Sequence, residues 1–592
     1  MKIVLTAINA KYIHSNPAVY SLRAYAGQYG YGADVAEFTI NQRTEHILRE
    51  LYRKKPDVLC FSCYIWNIEY VKELAAELKK LLPDVEIWAG GPEVSFETVK
   101  FMEENPAFRG VMIGEGEETF LELIGYYTEG RPQIKEIKGV TYRSRKGEIR
   151  TGPSRACIDM DRIPFYYEDL SGLEHKIIYY ESSRGCPYSC SYCLSSVDKK
   201  LRFKSLEKVF RELGILLDKK VSQVKFVDRT FNCRREHASA IWRYITEHDN
   251  GVTNFHFEIS ADLLTEEDLE LMSLMRPGLI QLEIGVQTVY EPTIREIRRT
   301  MDLPRLKERV ERIHKGGNIH QHLDLIAGLP FEDYETFQRS FIEIYALRPQ
   351  QLQLGFLKVL KGSYMYEQAG NYGLISQTKP PYEVYATKWL TYDNILDLKL
   401  TEEMVEVYYN SSQYRMSLGV LETCFATPYE MFWRLGNFYQ EKECMDRKFS
   451  RMGRCMMLLE FAEKNCPECM ADLEQGLLFD LYARENMKSR PAWAEDLSSF
   501  KAAQMSYLRE KKKDKKYCHF ERFDREFLEK YGERVLQEIQ REEGEQGKVW
   551  LLFDYEKRDP LTYDAHCHPV DLERYRKTEK REDYDEKNKR NP

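Results

Sequence analysis

Cys186, Cys190 and Cys193 follow an apolar run reading Ile177-Ile178-Tyr179-Tyr180-Glu181-Ser182-Ser183-Arg184-Gly185, and their C-x3-C-x2-C spacing gathers three thiols in one short loop. Four cysteines are the ordinary ligand set of an electron-transfer cluster. A compact triplet with no fourth cysteine nearby can hold three irons of a cubane and leave the fourth open to an external ligand, which points to catalysis. A zinc knuckle and three unrelated core thiols are the competing readings, although zinc sites usually pair C-x2-C units across a longer gap. No Ser/His/Asp arrangement, P-loop or H-E-x-x-H motif competes for the chemistry.

The elements that must position this loop alternate between strand and helix. Up to about residue 135, strands are expected at Ile3 to Ile8, Asp34 to Ile40, Val58 to Tyr64, Val85 to Ala89 and Gly110 to Ile113, with helical patterns such as Ile68 to Leu82 between them. Five such units argue for a doubly wound parallel sheet, whose ligands bind beyond the carboxyl ends of its strands. Gly90-Gly91-Pro92-Glu93 and Gly114-Glu115-Gly116 fall at that edge, where glycine lets backbone approach a bulky ligand or makes an ordinary tight turn. Residues 136–175 read as a connector with a hairpin at Val140 to Arg143 and extended chain from Asp159 to Pro164. From Ile177 to about Leu360 strands recur at Val224 to Val227, Phe255 to Ile259, Leu279 to Ile284, His322 to Ala327 and Leu352 to Val359. Six strand–helix repeats suit a partial β/α barrel with its chemistry at the strand ends.

Beyond about residue 375 the periodicity becomes helical and rich in aromatic residues, a pattern of cores more often than of cofactor sites. The expected division is 1–135, 136–175, 176–374, a mainly α-helical 375–569, and a charged tail, 570–592, that frays. Cys466-Pro467-Glu468-Cys469 could give two ligands to an auxiliary metal, and Cys567, between His566 and His568, could give more. Neither completes a site alone, and buried structural thiols are the plainer reading. The Lys511 to Lys516 run is a solvated linker before it is a phosphate site.

Length and composition set the surroundings. The 592 residues exceed one ordinary core, and no window approaches the roughly 20 apolar residues of a membrane helix. The N-terminus enters a strand without an export signal, so fourteen cysteines read as reduced thiols and metal ligands in a cytoplasmic protein. A net charge of -8 gives no global attraction to nucleic acid.

The cysteine loop, with Tyr192 before its third cysteine, resembles the radical S-adenosylmethionine (SAM) superfamily. That resemblance implies a [4Fe-4S] cluster whose open iron chelates SAM and, once reduced, cleaves it to a 5′-deoxyadenosyl radical. Similarity to the coproporphyrinogen-dehydrogenase-like branch extends around the barrel mouth. It implies SAM contacts at Tyr192, Asp228, Glu258, Glu283, Gln287, Arg299 and Asp324, the last in the run Leu323-Asp324-Leu325-Ile326-Ala327-Gly328-Leu329-Pro330. A carboxylate such as Glu258 suits ribose hydroxyls, and Arg299 could fork onto a carboxylate.

Placed before such a loop, residues 1–135 resemble the Rossmann-like cobalamin-binding domain of B12-dependent radical SAM enzymes, and the C-terminal third resembles the extension of unassigned function on one subgroup of them. The resemblance implies cobalamin contacts at Ser62, Gly90, Gly91, Pro92, Glu93, Gly114 and Glu115. The D-x-H-x-x-G motif that carries a cobalt-ligating histidine is missing, and Asp564-Ala565-His566 matches it only in part. His14 is the residue that could still supply the lower ligand, although a lone loop histidine is ordinarily a hydrogen-bonding group.

The implied reaction is methyl transfer to an unactivated carbon of a small-molecule or peptide substrate, with an electron donor such as flavodoxin or ferredoxin. A radical SAM enzyme acting on RNA or another macromolecule, and a non-catalytic cobalamin or redox sensor, are the rivals. A basic groove would favour the first. A plausible SAM-binding set argues against the second, since a sensor need not bind SAM.

Overall fold

The structure, a computed structural model, describes residues 1–532 and 547–576, so the charged tail beyond residue 576 lies outside the described residues. The chain forms two units, Met1–Ser340 with Leu354–Ile395, and Phe341–Gln353 with the residues from Leu396 onward.

The first unit opens with β1 (Ile3–Asn9), α1 (Pro17–Gly27), β2 (Asp34–Thr39), α2 (Thr44–Lys54), β3 (Val58–Ser62), α3 (Ile68–Leu81), β4 (Glu86–Gly90), α4 (Thr98–Glu104), β5 (Gly110–Met112) and α5 (Glu117–Glu129). All seven residues of β1 are buried, as expected of a central strand covered on both faces. Asn16 starts α1 by accepting from the Val19 N–H, with Pro17 supplying a preset φ at the first helical position. The five parallel strands run in the order β2-β1-β3-β4-β5. Chain direction across the sheet therefore reverses between β1 and β3, and their carboxyl ends frame the crevice where sheets of this kind take ligands. The expected hairpin forms as β6 (Val140–Arg143) and β7 (Ile149–Thr151), and it extends this sheet antiparallel to β5. Within the stretch expected to be extended, Met160–Arg162 makes a 3-10 turn, because Asp159 accepts from the Asp161 N–H.

The chain then runs through β8 (Ile178–Tyr180), a separate short antiparallel ladder of β9 (Ser183–Arg184) and β10 (Arg202–Phe203), α6 (Leu206–Asp218), β11 (Gln223–Phe226), α7 (Arg235–Glu247), β12 (Asn254–Ile259), α8 (Glu266–Ser273), β13 (Ile280–Gln287), α9 (Glu291–Glu296), α10 (Leu303–Gly316), β14 (His320–Ala327), α11 (Tyr334–Tyr345) and β15 (Gln351–Phe356). Six strands form the second sheet in the order β8-β11-β12-β13-β14-β15, a partial (β/α)6 barrel. In β13 the residues Ile280, Leu282, Ile284 and Val286 are buried, alternating with half-buried Gln281, Glu283, Gly285 and Gln287. Period two thus sends the apolar set to one face and the chemistry-bearing set to the other. Helix α12 (Tyr364–Glu367) and the hairpin β16 (Ile375–Ser376) with β17 (Val384–Ala386) complete the unit's named elements.

The second unit is mainly helical: α13 (Tyr392–Met404), which begins in the first unit, α14 (Arg415–Glu422), α15 (Pro428–Glu441), α16 (Arg451–Asn465), α17 (Met470–Arg484), α18 (Lys501–Glu510) and α19 (Arg525–Tyr531). It also holds an antiparallel sheet of β18 (Cys518–Asp524), β19 (Lys548–Arg558) and β20 (Ala565–Pro569), which the helical reading of the sequence did not foresee. Buried Asp480 ties α17 to α14 by accepting from the N–H groups of Met416 and Ser417 and from the Ser417 hydroxyl. In the lysine run, Lys513 pairs with Asp554 at 2.6 Å.

Candidate active site at the carboxyl edge of the barrel strands

The cysteine loop leaves β8 through Ser182 and Ser183 and is bracketed by the β9–β10 ladder. Gly185 has a φ of +91°, and a Cβ there would lie 2.7 Å from the Lys200 carbonyl oxygen, so the entry to the loop requires glycine. The Cys186 N–H donates to Asp198 O at 3.1 Å, the Ser191 N–H to Ile297 O at 2.9 Å, and the Met365 N–H to Ser191 O at 2.8 Å. Cys186 and Cys190 are buried and Cys193 is half-buried. Among the described residues, these three sulfurs do not belong to any group of ligand atoms gathered within 4.8 Å of one another. One ion bonded to sulfur at about 2.3 Å would draw them that close, whereas a cluster of several irons spans more space. Their spread therefore fits the cluster better than the zinc knuckle.

Asp228 follows β11 and lies under the loop's base. Its carboxylate accepts from the Ser182 N–H at 3.0 Å, the Ser182 hydroxyl at 2.7 Å and the Ser183 hydroxyl at 2.5 Å. Burial pushes its pKa up to about 6 against the pull of those hydrogen bonds. Asp228 thus organises the chain entering the cysteine loop.

Arg299, although distant in sequence, reaches the loop from beyond α9. One guanidinium nitrogen lies 3.2 Å from the Tyr192 hydroxyl and 4.0 Å from Cys190 Sγ, while the other donates to the Gly285 carbonyl. Gln287, with a φ of +73°, folds its amide over Gly285, where a Cβ would strike it at 2.3 Å. Two buried polar atoms in this group lack a protein partner: Gln287 Oε1 and Arg299 Nε. Such orphans are rare in folded proteins and point to a polar ligand.

Deeper in the same mouth, Glu283 sits 2.9 Å from both Lys225 Nζ and His256 Nε2, and His322 Nε2 lies 3.0 Å from Asp324 Oδ1. Burial opposes ionisation of Glu283, but the His256 hydrogen bond and the Lys225 charge outweigh it and hold the carboxyl low. Glu258, next to Glu283 across the β12–β13 pairing, makes no hydrogen bond among the described residues. Burial, reinforced by the Glu283 charge, raises its pKa to about 7. The structure therefore brings Tyr192, Gln287 and Arg299 to the cysteines, places Glu258, Glu283 and Asp324 in the neighbouring ring, and uses Asp228 beneath the loop. Sequence reasoning missed Lys225, His256 and His322; ionisable residues alternating with apolar ones inside strands were the signal.

At the first sheet's edge, Ser62 accepts from Asn16 Nδ2 at 3.5 Å. Gly91 has a φ of +113°, and a Cβ there would sit 2.5 Å from the Cys63 carbonyl oxygen, so its glycine serves the close approach of the β3 and β4 ends. Pro92 continues that turn. Glu93 takes the Tyr382 hydroxyl, and Glu115 accepts from the Ile158 N–H at 2.7 Å and from Arg202 at 2.5 Å. The two glutamates are therefore held by the barrel-side chain. Arg184, in the ladder beside the cysteines, forks onto Glu117 at 2.6 and 3.2 Å, with Glu115 at 3.4 Å and Glu181 at 2.8 Å. Gly114, with a φ of +73°, has open space around its Cα. His14 Nδ1 is 2.6 Å from the Tyr179 hydroxyl, a hydrogen-bonding role that matches the ordinary reading of a loop histidine. Asp564 pairs with Arg484 at 2.9 Å.

The β1 and β3 ends also expose apolar rings that sequence reasoning did not single out. Tyr12 is 68% exposed and Trp66 39%, and Trp66 stacks on Tyr64 with centroids 4.4 Å apart. Large exposed apolar groups at the switch point suit a broad, flat ligand such as a corrin.

An N-terminal sheet with its crevice between β1 and β3, followed by a partial barrel with three cysteines at the first strand's end, defines a cobalamin-binding radical SAM protein. The comparisons agree: the B12 binding domain matches residues 3–124, the radical SAM superfamily 180–342, and a protein of unknown function, DUF4080, 370–553. The chain thus carries a B12-binding domain, a radical SAM domain and a DUF4080 region in series, and the first two domains imply cobalamin, a [4Fe-4S] cluster and SAM as its cofactors. An uncharacterized methyltransferase of Pyrococcus horikoshii is 26% identical over 326 residues, covering 53% of this chain and 69% of that protein. The cobalamin-dependent radical SAM methyltransferase TokK of Streptomyces tokunonensis is 28% identical over 311 residues, 48% of this chain and 44% of TokK. Among solved structures, the cobalamin-dependent SAM radical enzyme OxsB superposes with a TM-score of 0.58 at 15% identity, covering 80% of this chain and 81% of OxsB. The radical SAM methyltransferase TsrM of Kitasatospora setae gives 0.54 at 17% identity, covering 64% and 78%. At those identities the structural likeness speaks for the fold.

Proposed function

We propose that this chain is a B12-dependent methyltransferase acting on an unactivated carbon. The carrying observation is the union, within one compact unit, of a cysteine triplet, a neighbouring set of orphaned polar groups, and exposed aromatic rings at the first sheet's switch point. The likeness to the methyltransferase of P. horikoshii and to TokK supports the same class.

In this reading Cys186, Cys190 and Cys193 hold the cluster. Arg299 and Gln287 receive the amino-acid end of SAM, and Glu258 its ribose, because the guanidinium can fork onto a carboxylate and a carboxylate can accept two hydroxyls. Glu283, with Lys225 and His256, fixes the charge beside that position, and Asp324 is held by His322. Tyr12, Tyr64 and Trp66 at the β1–β3 crevice, with the Gly90-Gly91-Pro92 turn and Gly114, take the corrin. When bound, the cluster supplies an electron to the sulfonium of SAM and cobalamin carries the methyl group. The protein contributes burial of the cysteines and fixed donors around SAM.

Residues 1–135 would then bind cobalamin, 136–175 connect and 176–374 form the radical SAM barrel. A flavodoxin or ferredoxin would deliver the electron. Fourteen free thiols and an oxygen-sensitive cluster suit the reducing cytoplasm. Among the described residues no helix is long and apolar enough to cross a membrane.

Anaerobic purification with cobalamin, followed by analysis of iron, sulfide and corrinoid and by incubation with SAM and reductant, tests this. Bound corrinoid, 5′-deoxyadenosine and S-adenosylhomocysteine are expected. Deoxyadenosine without bound corrinoid would remove methyl transfer and leave a radical SAM barrel acting on another substrate, RNA included. No deoxyadenosine under any reducing condition would replace the enzyme with the sensor.

A further inference from the structure

Three cysteines far from the barrel's triplet converge in the second unit. Cys424 follows α14, Cys466 caps the carboxyl end of α16, and Cys469 stands at the amino end of α17. Their three sulfurs lie within 4.8 Å of one another, with Cys466 and Cys469 at 3.6 Å. We propose that Cys424, Cys466 and Cys469 bind one zinc ion, clamping the ends of α14, α16 and α17.

The spacing selects the metal. Zinc bonds thiolate sulfur at about 2.3 Å, so two sulfurs on a zinc tetrahedron sit about 3.8 Å apart. Cys466 and Cys469 are already near that separation and Cys424 lies within 4.8 Å of both, whereas a multi-iron cluster needs the wider placement of Cys186, Cys190 and Cys193. The local backbone explains how they arrive there. The Cys466 N–H closes the last turn of α16 onto Ala462 O at 2.8 Å, Pro467 prevents the helix from continuing, and a 3-10 turn returns the Cys469 N–H to Cys466 O at 3.1 Å. Both sulfurs of the C-x2-C pair therefore face one point, with Cys469 at the amino end of α17. Cys424 comes from the other side, its N–H donating to Leu421 O at 2.9 Å.

Cys466 and Cys469 are buried and Cys424 is half-buried, and three sulfurs leave one position of the tetrahedron to water or an exogenous ligand. Cys567, on β20, is outside the group. Loading the site exchanges thiol protons for the ion, so zinc affinity falls as pH is lowered. A clamp of this kind would stabilise the DUF4080 region independently of SAM chemistry.

The test is metal analysis of the anaerobically purified full chain alongside Cys466→Ser, Cys469→Ser and a control, Cys455→Ser, a buried cysteine outside the trio. Expected are about one zinc per chain in the unaltered protein and the control, and background zinc in the two site variants, all with about four irons retained as evidence that the barrel has folded. Cobalt(II) substitution into the unaltered chain should give thiolate-to-cobalt charge-transfer absorption, a readout that needs no variant. Absence of zinc, zinc retained in both site variants, iron in its place, or a Cys466–Cys469 disulfide in the native chain would each overturn the proposal.

Discussion

Replacing Asp228 with asparagine should change the pH dependence of local stability at the base of the cysteine loop. The wild-type carboxyl has a folded pKa of about 6 against 3.8 for a free aspartate, because burial disfavours the charged form more than Ser183 and Ser182 favour it. A folded pKa above the unfolded one means that the folded state holds the extra proton between about pH 4 and pH 6. That contribution is present at low pH and lost as the pH rises through about 6. With these two values it is worth about 1.4 kcal/mol more at pH 5 than at pH 8, roughly tenfold in an opening equilibrium. Asparagine cannot titrate there. Its amide oxygen can keep the Ser182 N–H, but its NH2 must then donate to the two hydroxyls, which have to turn and accept, a rearrangement that does not depend on pH. Amide hydrogen exchange of a peptide covering residues 181–185, corrected for intrinsic rates, reads the difference. The ratio of wild-type to Asp228→Asn protection should be about tenfold larger at pH 5 than at pH 8. A ratio equal at the two pH values, or larger at pH 8, would refute the account of Asp228 as a buried, proton-holding anchor.

Arg299→Met should weaken SAM binding about 10- to 100-fold, measured by equilibrium binding to the reconstituted protein, since a buried guanidinium contributes charge-assisted bonds of about 1.5–3 kcal/mol; unchanged affinity would place SAM elsewhere. For Glu258, raised to about 7, the accepting carboxylate is lost as pH falls below that value. Wild-type SAM affinity should therefore drop by up to about tenfold per pH unit below 7, and Glu258→Gln should flatten the profile.

The two sheets were legible because buried parallel strands read as short apolar runs between amphipathic helices, and glycine marks where they end. The β2-β1-β3-β4-β5 order was not, since strand order depends on which helix covers which face. The cysteine triplet was legible for the opposite reason, that its ligands are neighbours in sequence. Arg299 shows the intermediate case: its type suggested a carboxylate partner, but only the fold brings it to Tyr192 and Cys190. The roles of Asp228, Glu93 and Glu115 were hidden because their partners, Ser182, Tyr382 and Arg202, come from other segments, and a carboxylate in a turn looks the same whether it meets ligand or protein. Cys424 was silent beside the C-x2-C pair for the same reason. The antiparallel strands β18 to β20 lay inside a stretch whose aromatic content was read as helical core.

The fork of Arg184 onto Glu117 limits how this molecule can be cut. A fragment beginning at residue 176 would keep Arg184 and Glu181 but discard the carboxylates of Glu115 and Glu117, leaving the guanidinium one of its three carboxylate partners. Excising the barrel would thus unbalance the ladder beside its own metal-binding loop, and the half of the chain that looks self-sufficient in sequence depends on the half before it to stay electrically whole.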